Sequence, residues 1–182
     1  MTCIVGLVEK NHVLIGADSS SVAGWTVRQT ALQKVFRNGP FVIGYTTSFR
    51  MGQILQYEVG FPEAKIYDEA YMVTKFIPAV QEKLKDLGYT QIINNRQEGG
   101  SFLVGVAGQL FDVADDFQVN HYRDGMAAVG IGAEYAMGAL GACRGIDPPD
   151  KKIPARDAVS LALRVAAYYS GAVKEPFTIL EA

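Results

Sequence analysis

Thr2 is the first residue of the chain that could do covalent chemistry. If Met1 is removed, Thr2 carries a hydroxyl and a free α-amine on one residue. That amine has a pKa of about 7.7–8, which suits a general base near neutral pH. A threonine activated by its own N-terminal amine can attack an acyl carbon. Met-Thr openings are common, so Thr2 alone decides nothing. A carboxylate, Asp18, closes the apolar run Ile15-Gly16-Ala17, and a cation, Lys34, opens Lys34-Val35-Phe36-Arg37. Taken singly, Asp18 reads as a turn aspartate in Asp18-Ser19-Ser20-Ser21, and Lys34 as a surface lysine at a sheet edge.

The elements that must position these residues begin almost at the N-terminus. Met1-Thr2-Cys3-Ile4-Val5-Gly6-Leu7-Val8 is apolar where most chains are polar and frayed. Residues 2–9 and 12–18 read as a hairpin, with Lys10-Asn11 as the turn and Asn as the residue able to take φ > 0. Neither strand alternates cleanly, which indicates burial on both faces. Folding the hairpin returns position 18 to within about one residue of position 2 or 3, so Asp18 is expected beside Thr2. A carboxylate at the end of an apolar strand needs a partner.

Downstream, residues 19–33 read as polar and irregular. Strands follow at 34–37 and 41–45 around the turn Asn38-Gly39-Pro40. A helix is expected over 48–58 with Ser48 as N-cap. A longer helix over 66–87 carries the stripe Ile66, Ala70, Val73, Ile77, Val80 and Leu84, and Pro78 implies a kink or a second start. Residues 89–100 read as a polar loop. Strands return at 101–106 and 109–113 around Ala107-Gly108, then at 117–121 and 127–130. A small-residue helix over 133–145, a loop over 147–154, an amphipathic helix over 155–169 and a strand over 177–180 complete the chain. The class is α+β. Two antiparallel sheets between two helical layers, a four-layer αββα sandwich, would satisfy this order in one domain spanning residues 1–182.

Composition narrows the function. The chain has 182 residues, 49 % hydrophobic and 20 % charged, with net charge −2. That suits one globular domain with a sizeable core. No basic field exists to hold nucleic acid or an anionic membrane, so neither partner is expected. Cys3 and Cys143 make no disulfide framework and read as reduced thiols of a cytoplasmic protein. No stretch has the length of a membrane span, and the N-terminus lacks the basic region of a signal peptide. Cys3 would be a nucleophile only after loss of two residues, and in an extended strand it faces away from Thr2. His12 and His121 read as surface histidines, Asp115-Asp116 as a turn, and Gly130-x-Gly132 as a weak anion-binding pattern.

Thr2, Asp18 and Lys34, with Gly16-Ala17-Asp18 on the second strand and Lys34-Val35 on a later one, resemble the N-terminal nucleophile (Ntn) hydrolases of the proteasome β-subunit and HslV type. Val42-Ile43-Gly44-Tyr45-Thr46 resembles that family's strand leading to its oxyanion loop. Gly130-Ile131-Gly132, with Tyr135-Ala136 and Leu140, resembles its glycine-rich approach to the third helix, and Ser170-Gly171 its final serine-glycine pair. Nearly the whole chain is covered. The resemblance implies a threonine-type amide hydrolase, a peptidase, with no metal or cofactor. Thr2 would be the nucleophile and Lys34 would lower its hydroxyl pKa. Asp18 would hold Lys34, and Ser170 would hydrogen-bond around the amine. A backbone N–H near Thr47 or Ser48 would hold the oxyanion, worth roughly 3–4 kcal/mol in better-known hydrolases. Ser21, Leu32 and Thr46 would line the substrate pocket. Stacked hexameric or heptameric homo-oligomeric rings, an ATP-dependent unfoldase partner and peptide or unfolded-protein substrates are implied in the same way. So is exposure of Thr2 by removal of Met1 alone, as in HslV-type proteins.

Three positions depart from the family pattern. Ile131 stands where a serine hydroxyl is usual, Ala167 where the proteasome branch has aspartate, and Thr46-Thr47-Ser48 where alanine and glycine are usual. A retained Met1 would remove the proposed base. The alternative is then a non-catalytic proteasome-like subunit with a structural or partner-binding role.

Overall fold

The computed structural model describes residues 1–144 and 153–182. The chain opens with the expected hairpin, β1 (Cys3–Glu9) and β2 (His12–Ala17). Its register pairs Glu9 with His12 and Ile4 with Ala17. Positive φ in the turn falls on Lys10, at 58°, and not on the expected Asn11. A second hairpin follows, β3 (Ser20–Ala23) and β4 (Thr26–Gln29), then β5 (Val35–Asn38) and β6 (Phe41–Tyr45). Residues 20–29 are therefore a hairpin, and the irregular part of 19–33 is confined to residue 19 and residues 30–33. The strands of that hairpin are short and mostly exposed, so the alternation that marks a half-buried strand never develops.

Helix α1 (Phe49–Tyr57) starts at Ser48, whose hydroxyl accepts from the Arg50 N–H at 3.1 Å. The long helix starts at Glu69, not 66, as α2 (Glu69–Tyr71), a π segment (Met72–Phe76) and α3 (Ile77–Asp86). Pro78 offers no N–H to the turn before it and crowds the carbonyl four residues back. The π segment lies immediately upstream, with the Ile77 N–H on the Met72 carbonyl. Its extra residue rotates the buried face. Met72 and Phe76 are buried where the uniform stripe put Val73, and Ile66, Ala70 and Val73 are exposed.

A third hairpin, β7 (Gln91–Ile93) and β8 (Arg96–Glu98), replaces the expected loop. Asn94 and Asn95 both have positive φ, the geometry of a tight two-residue turn. Strands β9 (Phe102–Val106), β10 (Gln109–Val113), β11 (Val119–Asn120) and β12 (Met126–Gly130) lead to α4 (Ala133–Arg144). The loop expected over 147–154 falls, at 147–152, outside the described residues. Helix α5 (Ala155–Tyr169) and β13 (Thr178–Glu181) close the fold.

The strands form two antiparallel sheets, β12-β1-β2-β13 and β11-β10-β9-β6-β5, besides the two small hairpins. Alternate residues of β1 explain its unbroken apolar sequence. Cys3, Val5 and Leu7 pack with Ala158, Val159, Ala162 and Leu163 of α5. Ile4 faces the other way and packs with Val35, Val42 and Leu103 of the second sheet. Burying a side chain such as Ile4 contributes about 1.5–3 kcal/mol. The sheets approach so closely that a Cβ at Gly44 would stand 2.5 Å from the Ile4 methyl. The second sheet presents its other face, with Phe41 and Ile43, to Ile54, Phe76 and Val80 of the helices between them in sequence. No helix among the described residues is long and apolar enough to cross a membrane.

Candidate active site

The hairpin register sets Asp18 opposite Cys3. The Asp18 N–H donates to the Cys3 carbonyl at 3.3 Å. Cys3 returns its N–H to Asp18 Oδ1 at 3.0 Å. Lys34 Nζ donates to the same oxygen at 2.9 Å. On Oδ2, Asp18 accepts from the Ser20 N–H at 2.9 Å and the Ser20 hydroxyl at 2.6 Å, with the Lys174 N–H at 3.5 Å. Asp18 and Lys34 are 3 % and 2 % exposed, so the pair is fully inside the protein. An ion pair this deep loses its hydration, and only further hydrogen bonds make such burial tolerable. Asp18 has them.

Burial pushes the Lys34 ammonium below its ordinary range, and the Asp18 charge and hydrogen bond pull it back. The same surroundings act on Cys3 in the opposite sense. Burial, and then the Asp18 charge, push its thiol up to about 12. Cys3 therefore has almost no thiolate near neutral pH and is no nucleophile.

Thr2 is 5 % exposed, and its hydroxyl donates to the Met1 carbonyl at 2.7 Å. It shares a cavity of about 80 Å³ with Lys34, Val22, Tyr45 and the segment Thr46–Phe49. Folding thus gathers Thr2, Lys34, Thr46, Thr47 and Ser48 around one space, with Asp18 bonded to Lys34. In that segment the Ser48 N–H donates to the Thr46 carbonyl at 2.9 Å, and Thr47 between them has φ 74°. This is the rarer, strained form of γ-turn, and a β-branched residue is poorly suited to it. Of the two expected oxyanion donors, Ser48 already spends its N–H. The Thr47 N–H donates to no group among the described residues.

Other expected residues lie apart. Ser170 ends α5, and its hydroxyl accepts from the Ala172 N–H at 3.4 Å. It does not line the Thr2 cavity. The Ala172 carbonyl meets the Ser20 hydroxyl, so Ser170 connects with Asp18 only through that loop. Ser21 is half-buried on β3 and lines neither the Thr2 cavity nor its neighbour, because period two places Val22 on the cavity wall instead. Leu32 lines the neighbouring cavity, which shares Tyr45. Ile131 is exposed. Ala167 lines a separate groove of about 810 Å³ between β4 and α5, which holds none of Thr2, Asp18 or Lys34. Gly130 cannot carry a side chain: its φ is 98°, and a Cβ would stand 2.2 Å from the Thr2 carbonyl oxygen. Among the described residues no three His, Cys, Asp or Glu side chains converge as metal ligands.

Sequence reasoning overlooked Ser20, Val22 and Tyr45. For Ser20 a signal existed. A serine two residues after an aspartate shares its strand face and can bond back to it. With one proton, its hydroxyl serves either Asp18 or Ala172 as donor, and it is fully buried between them.

No family model and no curated protein matches the sequence. Solved structures do match. A Thiobacillus denitrificans protein designated BPH is 20 % identical, with TM-score 0.80, over 99 % of this chain and 97 % of that one. The same protein in complex with epoxomicin matches at 19 % identity and TM-score 0.81, with the same coverage. Eukaryotic HslV from Trypanosoma brucei matches at 21 % identity and TM-score 0.70, over 98 % of each chain. The chain has the fold of these proteins along nearly its whole length.

Proposed function

We propose that the chain is a threonine-type amide hydrolase of the Ntn class, a peptidase built as an αββα sandwich, with Thr2 as nucleophile after removal of Met1. The observation that carries this is the Lys34–Asp18 contact of 2.9 Å, buried, with Lys34 and Thr2 on one cavity wall. In acylation, the Thr2 amine takes the hydroxyl proton and Oγ1 bonds to the substrate carbonyl carbon. The C–N bond then breaks, and the proton goes to the leaving amine. Water, deprotonated by the same amine, hydrolyses the ester and returns the hydroxyl. The Lys34 charge favours the developing alkoxide, and Asp18 keeps that charge in place. The Thr47 N–H is the group free to meet the oxyanion. Ser170 acts by fixing the Ala172 loop. Self-association into rings, and delivery of unfolded protein by an ATP-driven partner, belong to the same proposal. They rest on the fold likeness alone.

A second reading, a non-catalytic subunit, has its own support. The Thr2 hydroxyl is bonded to Met1, and neither Ile131 nor Ala167 offers a polar group. The N-terminal mass separates the two. A chain without Met1 that gains the mass of an epoxyketone at Thr2, with no gain in Thr2→Ala, is expected. A Met-free chain that neither forms the adduct nor degrades unfolded protein overturns the peptidase. A Met1 retained in the cell leaves the structural subunit.

A further inference from the structure

Beside the Thr2 cavity lies a second one, of about 220 Å³. Tyr45 lines both. Its ring lies over Gly52 of α1, where a Cβ would stand 2.1 Å from the ring, so Tyr45 can form this wall only because position 52 has no side chain. Leu32 and Gln33 form one side of the second cavity, and Gln53, Gln56 and Tyr57 of α1 the other. Residues 53, 56 and 57 are three and four apart and share a helix face. The first side is tied to the proposed catalytic cation. The Lys34 carbonyl accepts from the Tyr45 N–H at 2.9 Å, while its ammonium holds Asp18.

Among the described residues, no charged side chain lines this cavity. It presents three carboxamides and two phenols. Among the described residues, the side chains of Gln33, Gln53 and Gln56 make no hydrogen bond within the protein, and each carboxamide brings two donors and an acceptor oxygen. The Tyr45 phenol is pushed up to about 12, chiefly by burial, and stays neutral through the physiological range.

We propose that this second cavity receives the side chain of the residue whose carbonyl Thr2 attacks, and that it selects an uncharged, hydrogen-bonding side chain such as a carboxamide. This rests on the hydrolase reading of Thr2. A carboxylate or ammonium entering here sheds water and meets no counter-charge. An aliphatic side chain displaces water from the amides and leaves them unpaired. A carboxamide exchanges its bonds to water for bonds to Gln53 and Gln56. Gln53 and Gln56 are specificity residues, and Tyr45 is the partition that separates side-chain recognition from acyl transfer.

The test uses Met-free protein and fluorogenic peptides identical except at the acyl-side residue, which is Gln, Leu, Glu or Lys. The Gln peptide is expected to have kcat/KM about tenfold above each of the others. Gln53→Glu is expected to raise the Lys peptide by about tenfold relative to Gln, and Gln56→Glu to act in the same direction. A wild-type preference for Glu, Lys or Leu overturns the proposal without any variant. So does an order of preference that neither glutamate changes. Epoxyketone adduct formation is followed alongside. An adduct with the wrong order of preference removes the cavity's role alone. No adduct and no cleavage removes the hydrolase reading, and this proposal with it.

Discussion

The two walls of the Thr2 cavity are built in opposite ways. On one, Asp18 accepts from Cys3, Lys34, Ser20 and the Lys174 backbone, and every partner but Lys174 lies on a strand or next to one. On the other, Thr46–Ser48 is a single γ-turn with a β-branched residue at φ 74° and an N–H without a partner among the described residues. The first wall is over-determined, because a buried charge left unpaired costs several kcal/mol. The second stores strain, which persists only where surrounding structure holds it. The contrast fits the chemistry proposed. The cation must be in place before substrate arrives, whereas the oxyanion donor must stay unspent until charge develops on the substrate.

The contrast can be broken most forcefully at Asp18. Asp18→Ala leaves the Lys34 ammonium buried and alone, and is expected to destabilise the fold by about 3–5 kcal/mol. Urea denaturation reads this, and a loss under about 1 kcal/mol would show the wall to be less buried than it is here. Ser20→Ala removes a hydroxyl bonded to a carboxylate and should cost about 1.5–3 kcal/mol by the same measurement. Thr47→Gly should act with the opposite sign. Release of the strained φ outweighs the entropy glycine adds to the unfolded chain, for a net gain of about 1 kcal/mol in thermal denaturation. A destabilised Thr47→Gly would mean that the Thr47 side chain, packed against Gly100, matters more than its backbone.

At neutral pH the smallest effect lies at Cys3, where folding raises a thiol from 9.0 to about 12. Below 9.0 the folded and unfolded chains both keep the proton, and stability does not depend on it. Between 9.0 and about 12 the unfolded chain releases it and the folded chain does not, so stability falls as pH rises. Native Cys3 should therefore resist alkylation at pH about 8.5 under conditions that label the unfolded chain. Rapid labelling of native Cys3 would mean that the strand opens readily.

Much of the fold was legible where local chemistry decides it. Lys10-Asn11 between two apolar runs set the register that brings Asp18 to Cys3, and Ser48 marked the start of α1. Helix α5 was expected over the residues it occupies. The misses share one character. The hairpins at 20–29 and 91–98 have short, mostly exposed strands, so no buried apolar face marks them in the sequence. The rotated stripe of the second helix follows from one proline. Without coordinates Pro78 predicts a disturbance but not its form.

The site divides along the same line. Residue types and a two-residue turn, both local, were enough to set a carboxylate opposite Cys3, the residue after Thr2. Lys34 read by itself as a surface lysine, and only the tertiary structure buries it. Lys34 precedes β5, the edge strand of the second sheet, and its burial depends on what arrives from elsewhere in the chain. The same holds for Ser20, held between Asp18 and the distant Ala172. Each depends on two segments far apart in sequence meeting within hydrogen-bond or van der Waals distance. Periodicity and turn propensity describe one segment at a time, and so they carry no record of such meetings.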